Sequence, residues 1–173
     1  VAPGALTRVK GVTPGGGGVK TVSREYELCF RCHASSSSIT RSKVTRQFPQ
    51  PNTALQFNPA NVSYHPVLSA ARSPTDRTLI SPWTPASQLL CSDCHNNDQG
   101  PGVNGVGPKG PHGSRYAPLL ERNLVRVDFQ PESATAYALC YKCHNQGMLL
   151  ADPLHSRHVR DQKTSCSTCH DAH

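Results

Sequence analysis

The sequence predicts a mostly irregular chain with short α-helices at four cysteine motifs and little or no β-sheet, organised by something other than its own side chains. Three observations carry this. The first is a five-residue frame, Cys-x-x-Cys-His, which occurs within "LCFRCH" (28–33) and returns as "CSDCH" (91–95), "CYKCH" (140–144) and "CSTCH" (166–170), using all 8 cysteines of the 173-residue chain. The second is composition: 36% of residues are hydrophobic and 6% aromatic, against about 45–50% apolar, glycine included, in a typical globular domain. The third is punctuation. The 13 glycines and 15 prolines recur through long connections where neither a long helix nor a central strand tolerates them.

Residues 1–21 contain "TPGGGGVK" and no sustained periodicity, and read as a mobile or extended glycine-rich arm, either disordered or docked on a neighbouring molecule. Residues 22–126 form a first unit holding two motifs and long loops, among them the Ser35–Ser38 tract, the proline-rich run "FPQPNTALQFNPANVSYHPV" and "NDQGPGVNGVGPKGPHGS". Residues 127–173 form a second, compact two-motif unit, the two making one continuous domain. Within it, "QPESATAYALCYKCH" predicts a helix running into Cys140, with Pro131 at the first helical position and Glu132 at the positive end of the dipole. The units are copies of each other: "YELCFRCH" matches "YALCYKCH", and "CSDCHN" matches "CSTCHD", so the motif order is A, B, A, B. The first copy carries a long insertion between its motifs.

Cysteine pairs at this spacing serve haem attachment, zinc or disulfides. Only covalent haem gives a role to a histidine directly after the second cysteine, as the proximal iron ligand. With 9 histidines in 173 residues, four such placements by chance have a probability of order one in a hundred thousand. The reading is therefore four covalently bound haem c groups. Cys29, Cys32, Cys91, Cys94, Cys140, Cys143, Cys166 and Cys169 form the thioethers, and His33, His95, His144 and His170 are the proximal ligands. Five histidines remain for four distal positions: His65 and His112 in the first copy, His158 or His155 together with His173 in the second. His155 and His158, in "HSRH", would share a helical face. Met148, the single methionine, reads as core packing rather than an iron ligand. Tyr26 and Tyr137, three residues before their cysteines, read as packing on porphyrin, and Trp83 as core.

A net charge of +7 with a pI near 9.1 invites a nucleic-acid or anionic-membrane reading. The lysines and arginines are scattered, however, and about two propionate charges per haem would nearly cancel the excess, so no nucleic-acid partner is expected. No stretch approaches the roughly 18 apolar residues of a membrane span, so no transmembrane segment is expected. A start at Val1, with no signal peptide, reads as a processed or excised form.

The alternating motifs, with "SREYELCFRCH", "NPANVSYHPV", "CSDCHNND", "GPHGS", "PESATAYALCYKCH" and "SCSTCHDAH", resemble the multihaem c-type cytochromes with doubled CxxCH motifs of metal-reducing bacteria, over roughly residues 22–173. The resemblance implies an exported protein, extracellular, at the cell surface or periplasmic. It implies an electron carrier rather than an enzyme, passing electrons between closely stacked haems to redox-partner cytochromes or extracellular acceptors. Some tetrahaem relatives polymerise, so a homo-oligomer or conductive filament is implied, with the arm or the surplus histidine reaching the next subunit. The alternative is a multihaem reductase with one open iron acting on a small oxyanion or nitrogen compound. No motif here replaces the proximal histidine by lysine.

Overall fold

A computed structural model of the chain describes residues 8–34 and 52–173. Residues 1–7 of the arm, the Ser35–Ser38 tract and the start of the proline-rich run lie outside the described residues. The rest is mostly coil and turns, with a two-stranded sheet and short helices. Each of the four motifs carries a helical turn. Cys29, Cys32 and His33 lie on α1 (Glu25–His33), and α4 spans Cys166–Cys169, while Cys91–Asp93 and Cys140–Lys142 are 3-10 turns. Two further helices, α2 (Gln146–Ala151) and α3 (Pro153–His155), precede a π-helical turn at Ser156–Asp161.

By packing, the chain divides into two compact units, and the motif Cys91–His95 contributes to both. Among the described residues, one comprises 8–34, 52–69, 88–91 and 173. Its centre is α1, whose Phe30 is buried with Ala34, Ala54, Phe57 and Val67, with Leu89 and Cys91 packed at the margin. The Glu27 carboxylate accepts from the backbone N–H of Ser23 (2.6 Å) and Arg24 (3.0 Å), satisfying donors at the start of α1. Although burial opposes it, those hydrogen bonds hold Glu27 below its usual pKa.

The glycine-rich stretch differs from an extended arm. Residues β1 (Gly11–Val12) and β2 (Gly18–Val19) pair antiparallel, and the glycine run is their turn: the Thr13 N–H donates to Gly17 O at 2.8 Å and Gly16 adopts φ +87°. A glycine cluster is a turn signal as much as a linker signal. The Val22 N–H then donates to Val9 O, and a Cβ at Gly11 would lie 2.5 Å from the Val22 side chain, so the hairpin sits where only glycine fits.

The second unit comprises residues 70–87 and 92–172. Its buried apolar side chains, among the described residues, are Leu120, Ala136 and Tyr137. Irregular segments hold its motifs instead. Residues 78–80 strap one motif, with the Ile80 N–H donating to Cys143 O, the Asn145 N–H to Thr78 O, and Leu79 bridging His144. Residues 118–121 strap another: Leu120 bridges His95 and the Glu121 N–H donates to Cys94 O. Residues 125–129 hold α4, where Asp128 accepts from the Ser165 N–H (2.8 Å) and the Thr168 hydroxyl (2.7 Å).

The helix expected from Pro131 to Cys140 is a series of turns. Tertiary bonds compete for its backbone: Ala136 O accepts from the Val125 N–H, and the Leu139 N–H donates to Asn123 O. Met148, expected in a core, is 47% exposed on α2. Tyr137 is fully buried, and Trp83 half-buried.

Candidate functional site

A histidine that ligates iron through Nε2 must carry its proton on Nδ1, and an acceptor at Nδ1 fixes that tautomer and orients the ring. Several sequence-predicted ligands are held this way. His95 Nδ1 lies 3.0 Å from Pro118 O, a carbonyl that can only accept, so Nδ1 donates and Nε2 carries the lone pair. His144 Nδ1 lies 2.7 Å from Thr78 Oγ1, and the Thr78 hydroxyl donates its one hydrogen to Asp76 Oδ1 at 2.8 Å. The threonine oxygen therefore accepts from His144, giving a carboxylate–hydroxyl–imidazole relay with a fixed direction. His155 Nδ1 meets Asp152 Oδ1 at 3.2 Å, and His158 Nδ1 meets Gln162 Oε1 at 2.9 Å.

Burial pushes His95 and His144 below the usual imidazole pKa, opposed at His144 by the Asp76 carboxylate, and burial followed by the nearby His155 ring does the same for His170. Neutral imidazole is the ligating form.

The other predicted ligands are placed as follows. His33 is exposed at the end of α1. His65 and His173 meet, the His65 N–H donating to His173 O at 2.7 Å, while the His173 ring sits edge-on to Phe57 at 5.3 Å. The repeat groups His173 with the second copy, whereas the structure packs it in the first unit. His112 is exposed, its N–H donating to the O of Gly110, a glycine at φ +107°. His155 ends α3 and His158 lies in the π-helical turn, whose wider winding takes the two off the common α-helical face expected of them.

The cysteines follow the repeat. The first cysteines of A and B are hydrogen-bonded neighbours in each copy, Cys29 with Cys91 and Cys140 with Cys166, and in both pairs the shared bond and burial raise one thiol's pKa. Burial pushes the Cys94 thiol up to about 12 and Cys143 up to about 11. All eight are free of disulfides.

Among the described residues, no three His, Cys, Asp or Glu side chains converge as ligands of a metal ion. Structural zinc needs four such donors, whereas a haem iron takes only one or two from the chain. The imidazoles held through Nδ1 are donors of the type a haem iron takes. Two clefts of the described residues, one beside Tyr26 and Cys91 and one beside Glu121 and Asn123, are lined by none of these histidines, so the fit rests on the donors themselves. Among the described residues no helix is long and apolar enough to cross a membrane.

Sequence reasoning missed Asp76, Thr78, Pro118, Asp152 and Gln162, the groups that orient the imidazoles. A signal existed for three of them. Asp152 precedes Pro153 as a helix N-cap does, and Asp76 and Thr78 stand two apart as in a side-chain-closed turn. Compared with protein-family profiles, curated proteins and solved structures, the chain matches none.

Proposed function

We propose that this chain is a tetrahaem c-type cytochrome that transfers electrons without bond chemistry. The observation that carries the reading is the fourfold CxxCH frame, with the His95 and His144 imidazoles fixed in the tautomer that presents Nε2. Each cysteine pair would hold a porphyrin edge and each adjacent histidine the iron. When bound, the haems would supply a series of one-electron couples, and bis-histidine ligation would leave no position for a substrate.

The chain's own residues set orientation and burial. The straps at 78–80 and 118–121 pin His144 and His95 through backbone bonds, and Thr78 and Pro118 hold their rings. Burial keeps them neutral. Resemblance supports the finer statements: export to the cell surface or periplasm, exchange with partner cytochromes or extracellular acceptors, and end-to-end assembly of subunits.

Low-temperature electron paramagnetic resonance of the oxidised protein, with haem stoichiometry on the same sample, tests the reading. The expected result is four haems per chain, all low-spin. A high-spin fraction in the resting protein would favour the reductase alternative, and absence of covalent haem would overturn the reading.

Thr78→Val tests the relay. It removes the acceptor from His144 Nδ1, makes the imidazole a weaker donor and so favours reduced iron. A differential hydrogen-bond contribution of about 1 kcal/mol corresponds to a rise of about 40 mV in that haem's midpoint potential. Thr78→Ser should restore it. Spectroelectrochemical titration of both variants makes the measurement, and equal potentials in Thr78→Val and the parent would remove Thr78 from the account.

A further inference from the structure

We propose that His155 and His170 are the two axial ligands of a single haem iron, held with their imidazole planes nearly parallel. The inference rests on the tetrahaem reading and deepens it, because the repeat leaves the distal partner of His170 open among His155, His158 and His173.

The carrying observation is geometric. The His155 and His170 rings have centroids 6.3 Å apart and planes inclined by 9°. With a metal–nitrogen bond of about 2 Å, and about 1.1 Å from a ring nitrogen to the ring centre, imidazoles on opposite sides of one iron have centroids about 6 Å apart. That separation is also wider than intimate face-to-face contact. The pair is therefore spaced as two ligands of one metal are spaced.

The surroundings of His155 fit the role. Asp152 Oδ1 accepts from the backbone N–H of Leu154 (2.9 Å) and His155 (3.1 Å) at the start of α3, and from His155 Nδ1 at 3.2 Å. One carboxylate oxygen thus anchors the helical turn and fixes the ring's tautomer, leaving the Nε2 lone pair for the metal. His170 is delivered by α4, its N–H donating to Cys166 O, so the proximal imidazole is anchored through the cysteine turn of its own motif. The competitors stand differently. His173 packs its ring on Phe57 in the first unit, and His158 is held by Gln162 in the π-helical turn.

Ligand-plane angle has a spectroscopic signature: parallel imidazoles give a rhombic low-spin ferric signal, and crossed imidazoles a highly anisotropic one. In the full-length haem-loaded protein, His155→Ala should retain four covalent haems by mass. It should lose one haem's share of the rhombic low-spin intensity, convert one of the four haems to high-spin, and create one ferrous site that takes up carbon monoxide. His155→Met should instead give one His/Met haem, low-spin and with a raised potential. His158→Ala and His173→Ala should each keep that share.

If His155→Ala keeps four low-spin haems and the full rhombic intensity, the axial assignment is overturned while the tetrahaem reading stands. Loss of that share in His173→Ala or His158→Ala, and not in His155→Ala, overturns it equally. A parent protein without covalent haem removes the reading and the assignment together. Should His155→Ala not accumulate, His155→Met decides by the same share.

Discussion

Denatured and reduced, the haem-loaded protein should take up no alkylating reagent at any of its eight cysteines, and its intact mass should exceed that of the polypeptide by four haems. The three chemistries open to a CxxC pair part at this point. A disulfide opens under reductant, and a zinc thiolate is released when the fold is lost. A thioether is a carbon–sulfur bond that neither treatment breaks. Denaturant is essential to the measurement. Burial holds Cys94 at a pKa of about 12 and Cys143 at about 11, so even free thiols there would be sluggish in the folded chain. Eight labelled cysteines would sink the haem reading, and partial labelling would count the motifs left unloaded.

Replacing the cysteines of all four motifs by serine should leave an expanded chain, with weakened circular dichroism and a hydrodynamic radius well above that of the loaded protein. The argument is about what the polypeptide can bury. Among the described residues of the second unit only Leu120, Ala136 and Tyr137 are buried apolar side chains, whereas the first unit gathers Phe30, Phe57 and Val67 with smaller residues. Three such side chains are far too few to offset the ordering of that many residues. Residual amide-exchange protection should therefore be confined to α1 and the 3-10 turn Thr53–Phe57, and be lost from the straps around His95 and His144. A compact apo-protein with protection at residues 78–80 and 118–121 would show that the chain folds without its cofactors.

The coarse fold was legible in the sequence because composition and punctuation act locally. Prolines and glycines forbid long elements wherever they fall, and a CxxC spacing suits a single helical turn, as at Cys29 and Cys166. The helix expected before Cys140 failed for the opposite reason. Its local preferences are sound, but Asn123 and Val125, distant in sequence, take up its backbone groups. The hairpin at Gly11–Val19 was hidden because four consecutive glycines have the composition of a linker and the geometry of a turn. The candidate ligands could be named from spacing alone. What orients them could not, since Thr78 stands 66 residues from His144 and Pro118 stands 23 from His95.

The contact between the first cysteines of paired motifs has a consequence for maturation. Cys29 hydrogen-bonds Cys91, and Cys140 hydrogen-bonds Cys166. In an oxidising compartment, thiols at that range are candidates for cross-linking. Each cross-link would consume one attachment point from two motifs at once. On the tetrahaem reading, biogenesis would be a race between haem ligation and thiol oxidation, sharpest at Cys29 and Cys91 in the unit that gathers an apolar cluster of its own, and it would favour a chain loaded while extended.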